Sequence, residues 1–167
     1  MQNSARNAFT LVELLVVTAI MAILGVYVIA NYTSFGEDQN LKNAALDIQG
    51  LLRNAQANAT SNTKCAGTFF ATWQVEVLNS TTFNLKCSAS VTPQKTLQLT
   101  ANNEIKVVSG DDASCPAIPF SISFAPISGS IDLGGVSCTS LTFTIKNTKT
   151  GTLKDLTINK GGRVYGQ

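Results

Sequence analysis

The chain has 167 residues, room for one domain with a real core plus one further element. A net charge of +2 sets up no basic field to draw nucleic acid over the whole surface, and the absence of histidine excludes Ser-His-Asp and Cys-His catalysis and any His-bearing zinc site. Charged residues make up only 13%, while Ser, Thr and Asn are plentiful, which suits an exported neutral-polar surface better than a cytosolic enzyme.

The first element is apolar. From Phe9 to Ala30 there is one charge, Glu13, and a helix over this run spans about 33 Å, close to the thickness of a bilayer core. It is apolar all round, so it is not one face of a soluble helix. Arg6 and the initiator amine precede it and Glu37 and Asp38 follow, an asymmetry that puts the N-terminus in the cytoplasm and the bulk of the chain outside. A cleaved secretory signal is one alternative, and Val28-Ile29-Ala30 fits a small-residue cleavage site. However, the run is longer than an ordinary signal core, and an acid near its start is wrong for that class. A plain signal anchor explains the length but not Glu13, since a carboxylate in hydrocarbon costs about 2.5–3.5 kcal/mol and needs a partner. A cut just before Phe9 supplies one. The new α-amine lies one helical turn from Glu13, able to neutralise it in the same chain or in a neighbour, and the positive end of the helix dipole favours the carboxylate there.

These residues carry a resemblance. The stretch AFTLVELLVVTAIMAILG resembles the prepilin signal of type IV pilins and type II secretion pseudopilins: a polar leader (Met1–Asn7), a small residue (Ala8), then Phe9, Thr10, Leu11, Val12, Glu13 and the apolar run. The resemblance implies cleavage between Ala8 and Phe9 by a prepilin peptidase, N-methylation of Phe9, and a role for Glu13 in helix assembly. Implied partners are other pilins or pseudopilins through the N-terminal helix, the peptidase and an inner-membrane assembly platform. The implied location is the inner membrane, single-pass with the C-terminal domain extracytoplasmic, and then a filament. Two positions depart from the family pattern. Ala8 stands where Gly is usual, and the helix-weakening Pro common near the outer end of the run is missing, the first Pro being Pro93. Gly25, Asn31 and Gly36 are the remaining soft spots.

After Gly36 the spacing becomes amphipathic. Leu41, Ala45, Ile48, Leu52, Ala55 and Ala59 share one helical face, and the helix is expected to end in the turn-rich stretch Thr60 to Lys64. One continuous helix and two helices broken at Gly36 both fit. From Thr68 alternation takes over. Phe69, Ala71, Trp73, Val75 and Val77 fall on one face of a strand; Phe83, Leu85 and Cys87 follow beyond a hairpin turn at Asn79-Ser80. Further strands are expected at Thr96–Thr100, Ile105–Ser109, Phe120–Ala125, Ser140–Lys146, Leu153–Asn159 and Arg163–Tyr165. The predicted fold is α+β: a long N-terminal helix packed on an antiparallel β-sheet domain, pilin-like. Its divisions are a leader at 1–8, a transmembrane assembly helix at 9–32, an amphipathic continuation at 33–63 and a β-rich extracytoplasmic domain at 64–167.

Cys65, Cys87, Cys115 and Cys138 all lie beyond the apolar run and none forms a CxxC pair, so zinc ribbons and thioredoxin-like motifs find no support. In an exported domain an even number reads as two disulfides. Three pairings exist, and proximity favours Cys65 with Cys87 and Cys115 with Cys138; four free thiols are the alternative.

The C-terminal part adds a looser resemblance, to H-type pseudopilins and their type IV pilus relatives. It rests on Phe124, Pro126 and Gly129 at a strand end, two alternating strands, and the closing Gly162, Arg163 and Val164. Some of those relatives bind DNA through a C-terminal Gly-Arg-x-Arg element; here Arg163 and Lys160 are the candidate contacts, and Tyr165 stands where the second Arg would be. Asp111-Asp112 lacks the further oxygen ligands that calcium needs. No nucleotide loop and no usefully spaced carboxylate pair is present, so no enzyme, metal or cofactor is expected. Three function classes compete: a structural minor pilin or pseudopilin, a DNA- or surface-binding tip subunit of a competence filament, and an ordinary membrane-anchored domain. The Phe9–Glu13 constellation separates the first two from the third.

Overall fold

The computed structural model describes residues 10–100, 102–111, 115, 117–134 and 137–166, without the side chains at 27–33 and 107. The chain divides into two compact units, Met1–Gly36 and Glu37–Gln167. Helix α1 spans Leu11–Thr60, and Gly36 lies inside it.

In the first unit, the side chains from Leu11 to Val26 are exposed. Among the described residues no helix is long and apolar enough to cross a membrane. The segment expected to span one, 9–32, reaches into Phe9 and into side chains at 27–32 that lie outside the described residues. The leader and the cleavage point at Ala8 and Phe9 lie outside them too.

The second unit is built on the helical residues from Glu37 to Thr60. The apolar face predicted from spacing is the buried face: Leu41, Ala45, Ile48, Leu52, Ala55 and Ala59 are all buried, as are Ala44 and Leu51. Among the described residues nine strands follow: β1 (Trp73–Val77), β2 (Thr82–Cys87), β3 (Lys95–Gln98), β4 (Asn103–Gly110), β5 (Phe120–Phe124), β6 (Ile131–Asp132), β7 (Ser140–Asn147), β8 (Leu153–Asn159) and β9 (Val164–Gly166). They form two antiparallel sheets, one ordered β3-β2-β1-β5-β6 and the other β4-β7-β8-β9. This is an α+β fold consistent with a pilin-like domain.

Alternation places one face of each strand in the core. Trp73, Val75 and Val77 of β1, Phe120, Ile122 and Phe124 of β5, and Leu141, Phe143 and Ile145 of β7 are buried, with intermediate residues between them. Phe143 joins the two sheets. Its ring lies 6.1 Å from that of Phe120, stacked, and 6.5 Å from that of Phe83, edge-on. One apolar cluster contains the helix face and the inner faces of both sheets.

The structure departs from the expected alternation ahead of β1. The strand expected from Thr68 begins only at Trp73, and Phe69 is half exposed rather than on the inner face. Cys65 and Thr68 close a tight turn by two mutual backbone bonds, with Ala66 and Gly67 at positive φ. Phe70 also has positive φ, with its N–H donated to Asn62 Oδ1 at 2.6 Å. Such a backbone cannot continue a pleat, so the alternating letters before Ala71 do not form a strand. The short β6 was not expected. The hairpin at Asn79-Ser80 is present, and Asn79 Oδ1 accepts the N–H groups of Thr81 and Thr82 at 2.9 Å each.

Disulfides join Cys65 to Cys87 and Cys115 to Cys138, across 22 and 23 residues of sequence. Loops of that length imply about 3 kcal/mol of stabilisation each in the chain-entropy model. Cys65, Cys87 and Cys138 are buried.

Two predictions follow from this packing. Phe143→Ala removes the ring that both sheets share and is expected to destabilise the protein by about 3–5 kcal/mol in urea unfolding, against under ~0.5 kcal/mol for Val91→Ala, whose side chain is fully exposed. Alkylation of native protein without reductant is expected to label none of the four cysteines; labelling of all four would contradict both bridges.

Candidate functional site

The N-terminal segment begins with a helix cap. Thr10 precedes α1, its hydroxyl accepts the N–H of Glu13 at 3.2 Å, and its carbonyl accepts that of Leu14 at 3.2 Å. Thr10 is therefore the N-cap and Glu13 the third helical residue, the spacing of a capping box. The carboxylate sits in the first turn, where the helix dipole favours negative charge. Around it Leu11, Val12, Leu14, Leu15 and Val16 present their side chains outward, between 49% and 79% exposed. This is a surface of one buried-type chemistry left uncovered in the single chain.

The second unit opens with a different acid. Glu37 is only 9% exposed. Its carboxylate accepts Asn147 Nδ2 at 3.1 Å, Lys149 Nζ at 3.0 Å and Asn102 Nδ2 at 3.2 and 3.3 Å. The Asn147 amide, then the Lys149 ammonium, hold its pKa below the ordinary glutamate value against the opposing effect of burial. Asn147 also donates to Asn103 Oδ1 at 3.1 Å, and its own Oδ1 accepts the N–H groups of Lys149 and Thr150, so it shapes the β7–β8 turn. Asn103 in turn donates to the Asn40 carbonyl at 3.2 Å. The network ties the helix from Glu37 to Asn40 onto the ends of β4 and β7. Sequence reading counted Glu37 only as a flanking charge; it missed that the partners lie more than 60 residues away.

A second acid clamps the far end of the same strand pair. Asp111 accepts the Thr139 hydroxyl and the N–H groups of Thr139 and Ser140, at 3.0 and 3.1 Å for the two backbone bonds. The Thr139 hydroxyl, followed by the Ser140 N–H, lowers its pKa to about 2. Asp111, Cys115 and Cys138 lie close enough to suggest a metal site. Both sulfurs are spent in the disulfide, and the carboxylate is saturated by donors, so the cluster is a structural knot at the end of β4. Gly110 is part of it: a Cβ there would overlap Cys115 Sγ.

A groove of about 600 Å³ in this unit is lined by Arg53, Gln56, Asn159, Gly162, Arg163, Val164 and Tyr165. Arg163, singled out from sequence, thus meets Arg53 of the helix, which was not. Lys160 is exposed but is not among the lining residues; its N–H bonds the Thr139 carbonyl. Gly162 has φ of +81°, and a Cβ on it would stand 2.5 Å from Gln56 Nε2. The Gly of the Gly-Arg-Val motif is therefore accounted for by backbone conformation and the approach of Gln56.

The comparisons with known proteins bear on the first of these sites. Residues 3–29 match the family model of the prokaryotic N-terminal methylation motif, so this part of the chain carries the type IV pilin and pseudopilin signal. No curated protein and no solved structure matches the chain.

The Asp111 clamp predicts a pH signature. Its folded pKa of about 2 lies below the ordinary aspartate value of 3.8, so the clamp stabilises fully above that upper value and is lost as pH falls through the lower one. The melting temperature of Asp111→Asn is expected to lie below wild type at pH 6, and the gap to close as the pH is lowered to about 2. A gap that stays constant over that range would show that the charge contributes nothing.

Proposed function

We propose that this protein is a minor pilin or pseudopilin, a non-enzymatic structural subunit of a type IV pilus or type II secretion pseudopilus. The observation that carries the reading is the methylation motif over residues 3–29 on a helix whose apolar residues Leu11 to Val26 are uncovered and interrupted by one acid, Glu13. In this reading a prepilin peptidase cuts between Ala8 and Phe9 and the new amine of Phe9 is methylated. The segment from Phe9 to Tyr32 then anchors the chain in the inner membrane, with the β-rich domain outside. Subunits join by packing these helices together, and Glu13 pairs with the Phe9 ammonium of a neighbour.

The physics supports this division of labour. Apolar side chains along Leu11–Val26 are each worth about 1.5–3 kcal/mol when removed from water, so the stripe demands lipid or another helix. In such surroundings a lone carboxylate is costly, and an ammonium supplied by a second chain is the cheapest answer available near the helix start. The loose match of Phe124, Pro126, Gly129, Gly162, Arg163 and Val164 favours the H-type group among minor subunits.

The test has two parts. Protein from its own membrane is expected to begin at Phe9 and to carry one added methyl group by intact mass; a start at Asn31 would mean a cleaved secretory signal and would end the proposal. Glu13→Ala is expected to be cut and inserted normally yet to lose at least about tenfold in co-purification with the filament's major subunit, because the neighbour's ammonium is left unpaired. Glu13→Gln should recover only part, since it accepts a hydrogen bond but carries no charge.

A further inference from the structure

Beside the 600 Å³ groove lies a second depression of about 180 Å³, lined in part by Lys42, Leu46, Gln49 and Leu156. The two are consecutive. Lys42, Leu46, Gln49, Arg53 and Gln56 follow i, i+4, i+7, i+11, i+14 spacing, which is one stripe of the helix. The opposite wall of both is β9, with Val164 and Tyr165 on the first and Gly166 on the second. Gln49 Nε2 donates to the Val164 carbonyl at 2.9 Å and forms the saddle between them.

The two halves differ in chemistry. The larger presents two guanidinium groups, Arg53 and Arg163, with no acid among its lining residues. The smaller is floored by the buried Leu156 and rimmed by Leu46, which is 52% exposed. It also has no lining acid, although the unit contains many Asp and Glu residues elsewhere. A mostly apolar pocket edged by Lys42 and Lys154, next to a forked cationic site and with no acid among the described lining residues of either, is complementary to a chain that offers an aliphatic side chain and a carboxylate. Leu46 and Arg53 are seven residues apart on the helix, about 10.5 Å along its axis, and an extended chain covers that in about three residues.

We propose that this groove is a docking site for an extended acidic peptide segment of another protein, with an aliphatic side chain seated over Leu46 and Leu156 and a Glu or Asp about three residues away held by Arg53 and Arg163. The site concerns the second unit alone and does not rest on the assembly role of the N-terminal helix. A peptide is favoured over a nucleic-acid strand because the groove offers one aromatic ring, Tyr165, and an aliphatic pocket in place of a stacking platform.

The test uses the full chain in detergent micelles and a short fluorescein-labelled peptide of Ser and Thr carrying one Leu and one Glu three positions apart, read by anisotropy. Binding is expected to weaken about tenfold when Glu is replaced by Gln in the peptide, or when Arg53→Gln and Arg163→Gln are combined in the protein. Leu46→Ser and 0.5 M salt should each weaken it as well. The peptide-side change needs no protein variant, so a folding defect cannot mimic the result. Equal binding of the Glu and Gln peptides would overturn the proposal. So would a single-stranded oligonucleotide that binds more tightly with the same arginine dependence, which would make the groove a nucleic-acid site. Self-association of the chain abolished by the double variant would overturn it too, by assigning the groove to a second copy.

Discussion

The globular unit depends on one stripe of a single helix. Leu41, Ala45, Ile48, Leu52, Ala55 and Ala59 share a cluster with the inner faces of two separate antiparallel sheets. Neither sheet closes on itself, so each has an apolar face that must be covered. Half of the stripe is alanine. Small side chains admit close approach of a sheet, and the same cluster holds the bulky Phe83, Phe124 and Phe143, all fully buried. A larger residue at Ala55 or Ala59, both at 0% exposure, would have to displace whatever packs on it in this cluster.

Apolar burial fixes which face turns inward but says little about where along its axis the helix sits. The polar clamps supply that. Glu37 and Asn103 hold the helix at Glu37 and Asn40, and Gln49 reaches the Val164 carbonyl. Hydrogen bonds are directional, and a buried carboxylate with its donors displaced is strongly disfavoured, so sliding the helix by one residue would pull the Glu37 carboxylate away from Asn102, Asn147 and Lys149. The Asp111 knot with Gly110, Cys115 and Cys138 does the same for the opposite end of the β4–β7 pair.

Much of the fold was legible in the letters because it follows from period. The helical face was read residue for residue, and Leu153–Asn159 was placed with its observed bounds, since strict alternation between turn residues leaves little freedom. The same rule failed at Phe69. There Phe70 takes a left-handed backbone, tied to Asn62 beyond the Cys65–Thr68 turn, and nothing in a two-residue period encodes that. The site divided in the same way. Arg163 stood out within a short motif, whereas Arg53 looked like an ordinary solvated helix charge. Only the pairing of β9 with β8, and the bond from Gln49 to Val164, bring the two guanidiniums to one groove. Glu37 was hidden for the same reason: its donors come from loops that are distant in sequence.

Two acids on this helix, Glu13 in its first turn and Glu37 near its middle, show how environment divides one chemistry between two tasks. Glu37 finds all its donors within its own chain, and its role is complete in the isolated protein. Glu13, among the described residues, has the helix start that Thr10 caps, amid side chains that water does not favour. A carboxylate satisfied internally adds nothing to association, because any new partner must displace an existing one. A carboxylate flanked by uncovered apolar side chains behaves in the opposite way: burying the stripe strengthens every charge interaction made within it, so the gain from an incoming ammonium grows as the surface closes. In the proposed assembly the apolar residues would supply attraction without direction, and the single acid would supply the direction. Its place in the first turn sets its side chain beside the end of the helix where the dipole favours negative charge.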